Sequence, residues 1–187
     1  MIDLRLKDEL KPLIDQLAVT NGVMLEVGVY KGEAMRQFMD SGKFRRYFGV
    51  DFWSGDYADP NPRFLECIPD AELKFDEVAK HYPNVVKMRM TSKEAAGYFH
   101  DNLFDFVYID GNHNYEFVKE DLDLWWPKVK YEGYFGGHDY NMADNVGRAV
   151  NEKFGHGEMF PDSSWLVRKN WAVNQERRHY NDRNNDR

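Results

Sequence analysis

The segment Phe104-Asp105-Phe106-Val107-Tyr108-Ile109-Asp110-Gly111-Asn112-His113 constrains the fold more than any other part of the chain. A nearly continuous apolar run ends abruptly in an acid and a glycine, and a histidine stands three residues past the acid. Such a run reads as a parallel strand covered on both faces, because alternation is lost when neither face meets water. Ligands of open α/β sheets bind just beyond the carboxyl ends of such strands. Asp110 and His113 are therefore expected at the mouth of a site, one an acid that can hold a cation, the other a base that titrates near neutrality.

The rest of the chain repeats this theme. Leu10, Leu13, Ile14 and Leu17 recur at helical spacing over 8–18. Residues 22–28 read as a first strand, followed by a helix after Gly32 with Ala34, Met35, Phe38 and Met39 on its buried stripe and a stop at Ser41-Gly42. A second strand, 46–51, ends in Asp51. Residues 52–69 hold three prolines with Trp53, Tyr57 and Phe64, and read as a long loop of the kind that forms lids. A helix over 70–80 leads to a third strand, 85–90. Thr91 or Ser92 caps a short helix running to Phe99, with Glu94 in its first turn. After the fourth strand, Val118, Leu122, Trp125 and Val129 form a buried stripe, which Pro127 should kink or shorten. Residues 134–139 read as a fifth strand, Asp144 as the cap of a helix bearing Val146, Ala149, Val150 and Phe154, and 158–160 with 164–167 as a closing antiparallel pair.

This alternation predicts a Rossmann-like, doubly wound, mostly parallel sheet with helices on both faces, in one domain over 1–174. The polar run 175–187 is expected to be a disordered tail. Right-handed crossovers bring every strand end to one edge. Glu26, Gly28, Asp51, Ser92, Asp110, His113, His138 and Asp139 all fall at or just past those ends.

Composition limits the partners. A net charge of −7 argues against nucleic acid, which is met by a basic face. No apolar stretch reaches the ~18 residues that span a bilayer, and Met1–Lys7 lacks a signal-peptide pattern. The single cysteine, Cys67, excludes an internal disulfide and reads as an inert thiol in a loop, so a cytoplasmic location is expected.

The first loop, Glu26-Val27-Gly28-Val29-Tyr30-Lys31-Gly32, narrows the ligand. A dinucleotide fingerprint has glycines at G-x-G-x-x-G. Here Tyr30 holds the second glycine position and Glu33 the third, so a pyrophosphate would be obstructed and repelled. Asp51 still stands where ribose hydroxyls are gripped. A ligand with a ribose, no phosphate and positive charge fits, and S-adenosylmethionine has all three features. The plainer reading of Gly28 and Gly32 is a tight turn. A nicotinamide-dependent oxidoreductase is the alternative, for which Tyr115-Glu116-Phe117-Val118-Lys119 offers a Tyr-x-x-x-Lys pattern; a noncatalytic cofactor-binding protein is another. His113 itself reads either as a base or as a helix cap, and His138 as a metal ligand or a structural hydrogen-bonding group.

Met24–Gly32 resembles the first motif, E-x-G-x-x-x-G, of class I S-adenosylmethionine-dependent methyltransferases. Tyr108–Tyr115, with Asp121-Leu122, Trp125-Trp126-Pro127, Gly136–Tyr140, Val146–Val150 and Ser164–Val167, is similar to the macrocin-type O-methyltransferases. The resemblance spans about residues 20–170. It implies that Glu26, Gly28, Tyr30 and Gly32 lie at the methionine part of the cofactor, that Asp51 accepts both ribose hydroxyls, that Phe52 flanks the adenine, and that Ser92 touches its edge. Asp110 would serve cofactor or metal, and His113 would be the general base. Metal-dependent members place two adjacent oxygen ligands after the fifth strand. His138-Asp139 stands there in this chain, giving Asp110, His138 and Asp139 as the metal set, with a transition metal suited to the histidine as well as magnesium. The implied acceptor is a hydroxyl of a sugar or another small molecule.

Overall fold

A computed structural model describes residues 10–54, 62–141 and 144–170, with the helix backbone alone over 62–69. The elements run α1 (Lys11–Gln16), β1 (Gly22–Val27), α2 (Glu33–Asp40), β2 (Phe44–Asp51), α3 (Pro62–Ala79), β3 (Val85–Arg89), α4 (Ser92–Ala96), β4 (Phe104–Ile109), α5 (Tyr115–Trp125), a 3₁₀ turn (Trp126–Lys128), β5 (Val129–Gly137), α6 (Asp144–Phe154), β6 (Glu158–Met159) and β7 (Trp165–Arg168). One seven-stranded sheet has the order β3-β2-β1-β4-β5-β7-β6. The first five of these pair in parallel, and the β6–β7 hairpin lies antiparallel against β5. This is the Rossmann-like architecture the alternation predicts.

Side-chain alternation divides the core between the two faces. Val23, Leu25 and Val27 of β1 pack with Val118, Leu122 and Trp125 of α5 and with Val146 and Val150 of α6. Met24, with Phe106 and Tyr108 of β4, packs with α1, α2 and Phe75 of α3. Each of these large side chains gains about 1.5–3 kcal/mol from full burial. Glu26 shares the Met24 face and is only 1% exposed, so a charged-type residue of β1 is folded into the sheet rather than onto its rim.

Several boundaries differ from expectation by a residue or two, and three differ by more. α3 begins at Pro62, eight residues before the predicted start, so 62–69 and Cys67 belong to a helix and not to a lid loop. Proline suits the first helical position, where its missing N–H has no intrahelical partner to lose. Residues 55–61, including Tyr57, and the tail from 171 lie outside the described residues. β5 starts at Val129 rather than Tyr134, because its partner on β4 jumps from Val129 at Phe104 to Tyr134 at Phe106. That irregularity holds the polar Lys130–Glu132 run that disguises the strand. Finally, α4 stops at Ala96 instead of Phe99. Pro127 ends α5 in the 3₁₀ turn. Among the described residues no helix is long and apolar enough to cross a membrane.

Candidate active site

The parallel strands all end at one edge of the sheet, and a cavity of about 760 Å³ opens there. Its wall includes Gly28 and Tyr30 after β1, Asp51 and Phe52 at the end of β2, Ser92 after β3, Asp110 and His113 after β4, and His138 and Asp139 after β5. Gly32 caps α2 in the left-handed conformation, at φ 80°.

Gly28 cannot be another residue. Its φ is +85°, and a Cβ would lie 2.0 Å from the Asp110 carbonyl oxygen. The close approach is fixed by backbone bonds that stitch the strand ends together. Gly28 N donates to Val50 O at 2.9 Å and Asp110 N to Val27 O at 2.7 Å. Asp51 then shapes the loops. Its Oδ2 accepts from Tyr30 N and its Oδ1 from Trp53 N, each at 2.8 Å. Tyr30 and Trp53 have φ of 51° and 47°, conformations that cost non-glycine residues about 1–3 kcal/mol each. The carboxylate holds both of them in place. Burial raises the Asp51 pKa, while backbone donors from Trp53, Tyr30, Val29 and Phe52 oppose the rise. Trp53 is itself buried, against Phe75, with its indole N–H given to Tyr30 O at 2.8 Å. It is therefore scaffold for this loop and not a free arm for stacking on an acceptor.

Glu26 accepts a hydrogen bond from Tyr47 Oη at 2.5 Å. Burial drives its pKa well above the usual carboxylate range, the Tyr47 bond pulls it back, and the charges of Asp110, Asp51 and Glu33 raise it further. Tyr47 was not singled out from sequence, although alternation on β1 and β2 turns it to the same face as Glu26. Gly49, opposite Glu26, leaves room for its ring.

At the other end of the cavity Asp110, His113 and Asp139 offer ligand atoms that all lie within 4.8 Å of one another. His113 Nε2 is 3.0 Å from Asp139 Oδ2 and 3.9 Å from Asp110 Oδ1. His138 Nδ1 stands 3.3 Å from the same Asp139 oxygen. The carboxylates of Asp110 and Asp139 push His113 up to about 10 against the effect of burial. Burial alone would depress His138, but Asp139, with Asp110 and Asp162 beyond, lifts it to about 9. Both histidines, His113 first, hold Asp139 far below the ordinary carboxylate range. The convergent trio differs by one histidine from the expected Asp110, His138 and Asp139. Two carboxylates and an imidazole are a donor set that fits a divalent cation, with a nitrogen that favours a transition metal. The cap of α5 is Asn114, so His113 is not its cap, and its ring is turned to Asp139.

Two further residues of the wall were not picked from sequence as site residues. Asp121, on α5, is reached by Ser92. Asp162 lies in the turn before β7, where Oδ1 takes the N–H and hydroxyl of Ser164 and Oδ2 is buried with no hydrogen-bond partner among the described residues. Tyr115 and Lys119, the oxidoreductase-like pair, are not part of the wall. The Tyr115 hydroxyl donates to Glu152, and Arg148 covers its ring at 3.7 Å. Among the described residues eight carboxylate side chains line the cavity against one lysine and two histidines, a lining hostile to pyrophosphate.

The sheet carries a glycine-turn loop after β1, a strand-end acid on β2 and an acid–histidine cluster after β4 and β5. The chain belongs to the methyltransferase-domain family, whose family model matches residues 25–140. Among solved structures it is similar to the O-methyltransferase NovP, with a TM-score of 0.64 and 19% identity over 88% of this chain and 78% of that one. A Corynebacterium glutamicum structural-genomics protein gives a TM-score of 0.58 at 14% identity, covering 84% and 79%. Spermidine synthase from Thermotoga maritima gives 0.53 at 13% identity, covering 83% and 57%. At these identities the likeness is one of fold. Comparison with curated protein sequences finds no significant match.

Proposed function

We propose that this chain transfers the methyl group of S-adenosylmethionine to a hydroxyl oxygen of a sugar or another small molecule. The observation that carries the reading is the division of one cavity into two ends. The loop of Gly28, Tyr30 and Asp51 suits an adenosyl compound without phosphate, and the cluster of Asp110, His113 and Asp139 suits proton removal. The family and the fold of an O-methyltransferase support it. The acidic lining and the net charge of −7 favour a small acceptor over nucleic acid.

Asp51 holds the ribose hydroxyls, while Glu26 and Gly28 border the methionine part. The acceptor oxygen, the methyl carbon and the sulfur are held in line, and this positioning supplies much of the rate. In its neutral form, a minor species below its pKa of about 10, His113 takes the hydroxyl proton at Nε2, and Asp139 and Asp110 stabilise the charge it gains, so turnover rises with pH toward that value. The oxygen lone pair forms the new C–O bond as the S–C bond breaks and its electrons pass to sulfur, leaving neutral S-adenosylhomocysteine. Such a base is worth ~10²–10⁴-fold. A divalent cation would be held by Asp110 and Asp139, with His138 or His113 as the nitrogen donor, and would supply a lowered pKa at the acceptor hydroxyl.

The test is transfer of a labelled methyl group from S-adenosylmethionine to paired acceptors that differ only in bearing a hydroxyl or an amine, before and after chelation. Label on the hydroxyl member supports oxygen transfer, and loss of label after chelation supports the cation. Label on the amine alone removes the oxygen reading, and calorimetry with tight NAD binding and no S-adenosylmethionine binding removes the whole reading.

A further inference from the structure

Two polar groups of the cavity wall lack a partner among the described residues, and the mechanism uses neither. Tyr47, Tyr108 and Tyr134 are buried on the same face of the sheet. Tyr47 donates to Glu26 at 2.5 Å, and Tyr134 accepts from Ala18 N at 3.3 Å. Tyr108, only 1% exposed, makes no hydrogen bond through its hydroxyl among the described residues, although it belongs to the cavity wall. Phe38 packs edge-on against its ring at 5.1 Å and holds it in that pose. Burial first, and then the charges of Asp110, Glu26, Asp162 and Asp139, keep its proton in place. The second group is Asp162. Its Oδ1 is taken by Ser164, and its Oδ2 is buried without a partner. The turn that carries it is fixed, with Phe160 N donating to Ser164 O at 2.9 Å and Tyr140 N to Ser163 O at 3.0 Å. A carboxylate with one bare buried oxygen is costly to the fold unless a donor reaches it, and a charged donor makes the stronger bond.

The strand order says what reaches them. With the ribose at Asp51 on β2 and the methionine part at Gly28 after β1, the cofactor covers the ends of those two strands. β4 and β5 carry Asp110, His113 and Asp139, and Asp162 stands one strand further on, before β7. A group at Asp162 therefore belongs to the acceptor, about one strand spacing, ~5 Å, from the reacting oxygen. Its charge follows from the wall. Glu26, Glu33, Asp110, Asp139 and Asp162 line the cavity with Tyr108, and among the described residues the wall has no arginine. Its lysine, Lys93, lies after β3 and is paired with Glu120 at 2.7 Å. A cation held by Asp110, His113 and Asp139 would leave Asp162 and Tyr108 unmatched, since neither belongs to that trio. The His138 ring feels the Asp162 charge but is turned to Asp139 at 3.3 Å. A neutral hydroxyl could donate to Asp162, yet it would leave the charge uncompensated. An ammonium supplies both donor and charge.

We propose that the acceptor is an amino alcohol or amino sugar, and that Asp162 receives its protonated amine, with the Tyr108 oxygen as a second partner for the N–H groups. The strand spacing sets that amine about two or three carbons from the hydroxyl that is methylated. The proposal rests on the reading that the cavity holds S-adenosylmethionine and methylates a hydroxyl. Labelled methyl transfer at neutral pH to matched pairs tests it: ethanolamine against ethylene glycol, serinol against glycerol, and glucosamine against glucose. At least one amine should be labelled on oxygen with kcat/KM about ten-fold or more above its neutral partner, the range of a hydrogen bond to a charged group. Asp162→Asn keeps an oxygen for Ser164 and removes the charge, so it should reduce the preference to about three-fold or less, mostly through KM. Tyr108→Phe should reduce it by a smaller factor. Should Asp162→Asn fail to fold, the wild-type ratio and Tyr108→Phe decide. Where turnover is too slow, calorimetric titration of the same pairs into the S-adenosylhomocysteine complex reads the same ratio. No amine preference in the wild type, or an unchanged ratio in folded Asp162→Asn, overturns the proposal. An equal fall for both members of a pair leaves the ratio unchanged and makes Asp162 a support for His138 instead. S-adenosylhomocysteine that binds while no amine is preferred sinks this inference alone, and its failure to bind at all sinks the functional reading as well.

Discussion

The two edges of the sheet treat charge in opposite ways. At the amino-terminal edge Asp105 of β4 receives Lys130 Nζ at 2.8 and 2.9 Å and Val23 N at 2.8 Å. Lys169, almost wholly buried, gives its ammonium to the carbonyls of Trp126, Pro127 and Val129. At the carboxyl-terminal edge Glu26, Asp51, Asp110, Asp121, Asp139 and Asp162 crowd together, and among the described residues Lys93 is the only lysine of the cavity wall. One edge matches each charge to a partner and so stabilises the fold. The other leaves charge under-matched; positive φ values occur there at Tyr30, Trp53 and Asp139, as they do at the first edge at Asn21, Asn102 and Glu132. Under-matched charge is how a protein holds groups ready for a ligand at some expense in stability.

The sharpest break in this comparison would come from the same strand. Asp110→Asn keeps the shape and removes a charge facing His113. Turnover should fall by ~10²–10⁴-fold, while the melting temperature shifts by no more than a few degrees. A large loss of Tm would show that Asp110 belongs, like Asp105, to the supporting edge.

Asp121 should show the cost of the under-matched edge directly. Its pKa in the folded state is raised to about 7 from 3.8, so the folded chain holds the proton more tightly than the unfolded one. The acid is harmless when both states are protonated, and stability is lost as pH rises through that window. Asp121→Asn should therefore match the wild type below about pH 4, gain on it through the window, and stay ahead by roughly 2–4 kcal/mol above about pH 7. Thermal melts from pH 4 to 8 measure this. A constant offset across the range would mean that burial does not shift this acid.

Asp105→Ala should do the reverse of Asp110→Asn. It leaves Val23 N–H without its acceptor in a buried strand and frees Lys130. A loss of about 1–3 kcal/mol follows, most of it from the unsatisfied N–H, since the ion pair is partly exposed and worth little. The affinity for S-adenosylmethionine and kcat/KM should stay within about two-fold. Denaturant melts and steady-state kinetics on one preparation check both halves.

Much of this division was legible in the sequence. β1 and β4 are buried and almost wholly apolar, and β2 and β3, although they carry Arg45, Arg46, Lys87 and Arg89, keep enough apolar positions to be recognisable within a residue or two. Their polar ends fall in register once the crossovers are right-handed. What hid was whatever depended on partners distant in sequence. Asp121 is buried only because Ser92 and Trp125 close over it from α4 and its own helix; locally it is one more acid on an amphipathic helix. The choice of His113 over His138 as the third member of the trio turns on side-chain directions that strand-end position does not supply. The start of α3 hid because prolines read as loop, although Pro62 opens the helix. β5 hid its first residues behind Lys130 and Glu132, one of them pairing with Asp105 on the neighbouring strand.

The smallest expected effect tests whether every residue of the cavity edge is there for the ligand. Thr91 borders the cavity, yet its side chain is fully used in a reciprocal cap of α4. Its Oγ1 accepts from Glu94 N at 3.2 Å, and the Glu94 carboxylate accepts Thr91 N at 3.0 Å and the Thr91 hydroxyl at 2.8 Å. Those bonds hold Glu94 below the ordinary carboxylate range, as befits a charge at a helix start. Thr91→Ala should cost about 1 kcal/mol of stability, the usual value of a lost cap. Cofactor affinity should move by less than about three-fold, because α4 is also pinned to α5 by Ser92 and by the Lys93–Glu120 pair at 2.7 Å. Calorimetry and a melt on Thr91→Ala and Thr91→Ser separate the two roles. Serine restores the cap, so it should restore stability. A loss of affinity in alanine that serine also repairs, with stability unchanged throughout, would instead make Thr91 a ligand-binding residue and extend the under-matched edge by one position.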